Sequence, residues 1–132
     1  MIHLRTYAPV VLRIGIALVF LWFGVSQLRD AVMWTGFVPQ SVADLSGLSL
    51  ETLVTLNGAF EIVFGLALLL GIFTRVSALL LALHMFDITV IVGFDAIGVR
   101  DFGLSIATLA VFMYGVDEWC LESKMQKDSV LQ

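Results

Sequence analysis

The chain has 132 residues, of which 60% are hydrophobic and 14% charged, with a formal net charge of -4. A soluble domain carries about half apolar and a quarter charged residues, so this composition excludes one and identifies an integral membrane protein. The few scattered basic residues exclude a nucleic-acid surface, so nucleic acid is not a partner.

A bilayer core of about 30 Å needs about 20 mostly apolar residues per helix. Four stretches meet that requirement, at about 9–28, 53–71, 76–94 and 102–119. The expected fold is therefore an all-α bundle of four transmembrane helices, a single membrane domain over 1–132 with no room for a separate soluble catalytic domain. Basic residues (His3, Arg5) precede the first span, as they do in a signal peptide. The apolar run is longer than a signal core of about 7 to 15 residues, however, and no small-x-small cleavage site follows it, so the first span is expected to be retained.

With four spans, both termini share one side with the turn between spans two and three. Arg5, Arg75, Lys124 and Lys127 fall there, against Arg29 and Arg100 on the other side, which predicts an N-in, C-in orientation. Arg13 lies deep in the first span. It is expected to snorkel to the inner interface, the alternative being a pair with Glu61.

Residues 29–52 are longer than a helix connection needs, and read as an outer interfacial segment. Ser41 and Asp44 have capping-box spacing and predict a short helix there, and Trp34, Phe37 and Leu45 suit a cover over the outer mouth of the bundle. A lipid-facing anchor without further role is the alternative. At the tight turn, Gly71 is expected to end the second span and Thr74 to cap the third. Cys120 is the single cysteine and is expected to be an incidental thiol at the end of the fourth span, and no metal-type spacing exists.

At about 1.5 Å of rise per residue, Asn57 and Glu61 sit about 7 and 13 Å below the outer boundary, and Asp87 and His84 about 10 and 15 Å below it. Ser26 and Gln27 lie near the outer edge. Arg100 and Asp101 open the fourth span, and Ser105 and Thr108 continue the face of Asp101. Spacings of three, four and seven keep each set on one side of its helix, and Gly65 extends the Glu61 face where a neighbour can approach.

Two explanations of this cluster stand. The first is interhelical hydrogen bonding that only holds the bundle together, at about 0.6 kcal/mol per bond. The second is an outward-facing polar pocket, with Asn57, Asp87, Arg100, Asp101, Gln27 and Trp34 as ligand-binding residues and Glu61 and His84 as a proton relay suited to quinone chemistry. Polar residues thin out in the inner halves of the spans, which argues against a transporter or channel.

The stretches "LRIGIALVFLWFGVSQL", "NGAFEIVFGLALLLGIFTRVSALLLALHM" and "VRDFGLSIATLAVF" resemble the DoxX family of small four-helix membrane proteins over nearly the whole chain. The markers are Arg13 with Gly15, Gly24 to Gln27, Asn57 to Gly65 with Glu61, and Arg100 with Asp101. The resemblance implies a bacterial or archaeal inner-membrane protein. In some members that means a thiosulfate-oxidising, quinone-reducing complex, in others an assembly with superoxide dismutase and a sulfurtransferase. It thus implies no cofactor in the chain itself but a quinone as the candidate one, a redox partner subunit or a homo-oligomer, and a quinone-linked oxidoreductase subunit if there is turnover. The family often has lysine where this chain has Gln27, and no cysteine lies near the polar cluster, which argues against a thiol-based step.

Overall fold

The computed structural model describes residues 4–130, so His3 lies outside the described residues. The described residues are helical with no strand: α1 (Leu4–Arg29), α2 (Ala31–Trp34), a 3-10 turn (Thr35–Phe37), α3 (Gln40–Ser46), α4 (Leu50–Leu70), α5 (Thr74–Val92), α6 (Ala96–Tyr114) and α7 (Leu121–Val130). Helices α1, α4, α5 and α6 are long and apolar enough to cross a membrane. The protein is a multi-pass helical membrane bundle.

Its burial pattern is inverted relative to a soluble protein. Trp22, Val63, Leu83, Val90 and Met113 are exposed, whereas Arg13, Gln27, Glu61, Asp101, Ser105, Thr108 and Asp117 are buried. Apolar surface is compatible with lipid, while buried polar groups must find partners inside the protein. Helix α1 packs chiefly on α4, and α5 on α6. The start of α1, the α4–α5 turn and the end of α6 share one end of the bundle, the terminal end, and the connection from α1 to α4 covers the loop end. The apolar core (Ile16, Ala17 and Phe20 of α1, Leu68 of α4, Ala78, Leu81 and Met85 of α5, Val111 of α6) spans all four long helices.

Several element bounds differ from the hydropathy expectation, each for a local reason. Helix α1 begins at least five residues earlier and runs through Pro9, which removes one backbone hydrogen bond near the helix end. Helix α4 begins at Leu50 because the Ser49 side chain accepts from the Thr52 N–H. The largest shift is in α6, expected at about 102–119. Asp95 Oδ1 accepts from the N–H groups of Ile97 and Gly98, both at 2.9 Å, and starts the helix early; Gly115, at φ +85°, ends it early. Arg100 and Asp101 therefore sit in its second turn, not at its start.

In the connection, α3 starts at Gln40 after Pro39, so Ser41 is not a cap. Asp44 accepts instead from Gln40 Nε2, at 3.1 Å. Gly71 ends α4 at φ +69° as expected, but Thr74 lies inside α5 and does not cap it. Glu122 does so from the other side of the turn: its Oε2 accepts from the Thr74 N–H and Oγ1, both at 3.0 Å, and its own N–H donates to the Gly71 carbonyl. Cys120 lies beyond α6, fully buried against the turn, where a Cβ on Gly71 would come within 2.5 Å of its Cα.

Arg13 neither snorkels nor reaches Glu61. Its Nε donates to Asp117 Oδ2 at 2.6 Å and its Nη2 to Asp117 Oδ1 at 3.2 Å, while Nη1 donates to the carbonyls of Leu68 and Leu69 at 2.6 and 2.7 Å. The guanidinium thus closes the C-terminal end of α4, where carbonyls lack helical partners and the helix dipole favours a cation.

Burial alone would raise the Asp117 carboxyl. The Arg13 hydrogen bonds, the Trp119 backbone N–H and the guanidinium charge outweigh it and hold the group below its ordinary value of 3.8. A depressed folded-state value means that the contribution to stability is present above the unfolded value and lost as pH falls through the folded one. Unfolding followed from pH 7 downward should therefore show a constant gap between wild type and Asp117→Asn until about pH 4, the ordinary carboxylate range, and a closing gap below it.

Candidate functional site

The polar cluster occupies the loop-end half of the bundle, where α1 and α4 come into backbone contact. A Cβ on Gly24 would lie 2.8 Å from the Gly58 carbonyl oxygen, and one on Gly58 would lie 2.9 Å from that of Gly24. Only glycine on both helices permits this approach. One turn on, Gln27 of α1 faces Asn57 and Glu61 of α4.

Glu61 is 2% exposed. Gln27 Nε2 donates to its Oε2 at 2.9 Å and Asn57 Nδ2 donates to its Oε1 at 3.2 Å, while Asn57 Nδ2 also donates to Gln27 Oε1 at 2.7 Å. Three side chains from two helices form a closed ring of hydrogen bonds. From α5, His84 stacks on Phe60 at 4.6 Å between centroids, and its Nε2 stands 3.7 Å from Glu61 Oε1. That separation is too long for a hydrogen bond, and His84 Nε2 is buried with no hydrogen-bonding partner.

Helix α6 brings in Arg100 and Asp101. The guanidinium pairs with the neighbouring carboxylate, 2.7 Å from Nη2 to Oδ1, and lies 5.0 Å over the ring of Phe23. Asp101 is buried, whereas Asp87 on α5 is exposed and has no ion-pair partner among the described residues. Ser105 turns from the cluster to donate to the Ala82 carbonyl at 2.9 Å, and Thr108 donates to its own helix at Leu104.

A cavity of about 330 Å³ lies between these groups, at the small end of the roughly 300 to 1,000 Å³ of ligand pockets. Gln27, Asn57, Glu61, His84, Asp87, Arg100 and Asp101 form the polar part of its lining, and apolar side chains such as Val54, Met85 and Ile88 form the rest. Trp34 and Phe37 of the connection also line it. Trp34 Nε1 donates to Ser26 Oγ at 3.2 Å, and its ring packs edge-on against Phe23 at 5.6 Å.

All eight residues singled out in the sequence line this one cavity. Their pairing differs from the depth argument, which set Asn57 level with Asp87: Asn57 bonds Gln27 and Glu61, and Arg100 bonds its neighbour. Phe23 was not among them; it follows Trp22 in a uniformly apolar stretch, and nothing in that stretch separates a cavity wall from a lipid-facing side chain. Asp117 was missed because the fourth span was drawn through it, although Gly115 marks the boundary.

The sequence model of the DoxX family matches residues 8–93, 86 of the 132 residues. No curated protein and no solved structure matches the chain significantly. The match runs from α1 to the end of α5 and so takes in Arg13, the Gly24–Gly58 contact, the Gln27–Asn57–Glu61 ring and His84, while Arg100 and Asp101 fall beyond it. On that match the chain belongs to the DoxX family.

Proposed function

We propose that this DoxX-family membrane protein binds an amphipathic, quinone-like molecule in the loop-end cavity, as a subunit of a redox or oxidative-stress assembly in a bacterial or archaeal inner membrane. The observation that carries this reading is the buried, unpartnered His84 Nε2 beside Glu61 in a cavity with apolar walls. A buried polar atom without a partner costs about 1 to 3 kcal/mol, and a ligand head that fills its valence removes that cost. In the N-in, C-in orientation expected from the basic residues, the cavity would face the outer leaflet, where a lipid-soluble molecule enters from the bilayer. Electrons would come from a partner subunit. Glu61 and His84 are placed for proton exchange with a bound head group.

Native mass spectrometry of the gently purified protein tests this. A retained quinone-like molecule is the expected result, with retention falling about tenfold, or about 1.4 kcal/mol, in Glu61→Gln. Wild-type protein carrying nothing, or retention unchanged in the variant, would sink it.

The ring joining Gln27, Asn57 and Glu61 supports a second reading, in which the chain is a non-catalytic anchor and the cluster only fastens α1 to α4. Thermal melts separate the two readings. An anchor loses about 1 kcal/mol or more in Glu61→Gln, which breaks the ring, and in His84→Ala, which removes the packing on Phe60. A binding site loses ligand, and His84→Ala leaves stability unchanged or raised, because relieving an unsatisfied group removes strain kept for function.

A further inference from the structure

Any head group entering the cavity meets side chains whose hydrogen-bonding capacity is uneven. As a carboxylate, Glu61 is acceptor-only with about four lone-pair positions, and the ring occupies two of them. Asn57 has used its Nδ2 on Gln27 and Glu61, so it offers the cavity its Oδ1. Asp87 is unpaired among the described residues, and Arg100 engages only one oxygen of Asp101. On the donor side, Gln27 Nε2 gives one of its two N–H groups to Glu61, and the Arg100 guanidinium spends its Nε–H and an Nη2–H on Asp101 Oδ1 while lying over Phe23. Beside Glu61 Oε1 the unpartnered group is His84 Nε2, a donor in one tautomer and an acceptor in the other.

Acceptors therefore crowd the Glu61 end of the cavity, and three carboxylates line it against one guanidinium. An anionic head is repelled. Seated at Glu61, a carbonyl head, which only accepts, can take the His84 N–H but leaves the carboxylate facing lone pairs.

We infer that, if the cavity is a binding site as proposed above, it takes a neutral hydroxyl head, as on a phenol or hydroquinone, and discriminates against the same molecule carrying a carbonyl. The hydroxyl bridges Glu61 Oε1 and His84 Nε2, which stand 3.7 Å apart. An oxygen about 2.8 Å from each lies within hydrogen-bonding range of both. It donates to the carboxylate and accepts from the imidazole N–H. An ammonium head serves Glu61 equally well, but only donates, so it leaves His84 Nε2 unanswered whenever that nitrogen carries the proton. The hydroxyl completes the valence of both side chains, and the apolar walls take its ring or chain.

The test uses the full-length protein in lipid nanodiscs under reducing, anaerobic conditions. Binding of an alkylated hydroquinone is compared with that of its benzoquinone bearing the same tail, and with alkylammonium and fatty-acid probes of matched length. The hydroquinone is expected to bind at least about tenfold tighter than the quinone, the scale on which a site rejects a ligand lacking a hydrogen bond it is built for, and the fatty acid is expected not to bind. Glu61→Gln should reduce the preference to about unity, because a carboxamide N–H answers a carbonyl. His84→Leu, which leaves the Gln27–Asn57–Glu61 ring intact, should weaken both forms, since each accepts from the imidazole N–H, while the preference for the hydroquinone, which rests on Glu61, persists. Equal binding of the two forms, tighter binding of the quinone, or stronger binding of the ammonium probe overturns the head-group assignment while leaving the cavity a ligand site. Failure of every probe overturns both.

Discussion

Replacing Arg13 by methionine is expected to lower the unfolding free energy by about 3 to 5 kcal/mol, the usual result of removing one partner of a buried ion pair. The arginine and aspartate side chains are 1% and 2% exposed, so water cannot take over the work of the missing guanidinium. The loss has two parts, an Asp117 carboxylate left with only its Trp119 and Cys120 partners, and the guanidinium donor missing from the carbonyls of Leu69 and of Leu68, which keeps the Gly71 N–H. The double variant Arg13→Met, Asp117→Leu separates them, since replacing a whole buried pair by apolar groups is often neutral. Thermal unfolding in detergent, followed by tryptophan fluorescence, should show the double variant recovering most of the lost stability. A double variant no better than the single one would assign the effect to the carbonyls at the end of α4.

The second large effect is expected at the α1–α4 crossing. Gly58→Leu places a Cβ 2.9 Å from the Gly24 carbonyl oxygen and 3.0 Å from the Gln27 Cβ. Neither obstacle is the far end of a flexible side chain, so the helices must separate, at about 1 to 3 kcal/mol for an overpacked contact. Separation also carries Gln27 away from Glu61, so a stability loss and a ligand-binding loss should appear together. Gly65→Ala is the control. Its nearest neighbours are Leu21 Cδ2 and Cγ at 3.3 Å and Phe20 Cβ at 3.4 Å, side-chain atoms and not backbone, and alanine gains up to about 1 kcal/mol of helix propensity over glycine, so this variant should melt near wild type. Equal losses at both positions would mean that the crossing tolerates no side chain anywhere, and would remove the special status of the Gly24–Gly58 contact.

The four long helices were legible because hydropathy reports burial in lipid directly, and the cavity residues were legible because polar side chains in such helices must face protein. Depth from helical rise was enough to bring His84 and Glu61 to one level, and the structure sets them 3.7 Å apart. What stayed hidden follows from tertiary contacts made by short segments. Glu122 caps α5 across a turn, 48 residues away in sequence from Thr74, and no local pattern announces a cap delivered from elsewhere. The ends of α6 were misjudged because Asp95 and Gly115 are single residues of strong local effect, which a window of average hydropathy smooths away. Arg13 was assigned to the interface because its partner lay inside what was taken for the fourth span.

The Arg13–Asp117 pair also sets a clock on biogenesis. Its partners are 104 residues apart, and at a synthesis rate of about 5 to 20 residues per second the arginine exists for roughly 5 to 20 seconds before the aspartate is made. The carbonyls of Leu68 and Leu69 arrive about halfway through that interval. Until then a cation must wait in the first helix to enter the bilayer, with its side chain drawn back toward the headgroups. Final seating of α1 therefore follows synthesis of Asp117, and the helix stays unfinished until then.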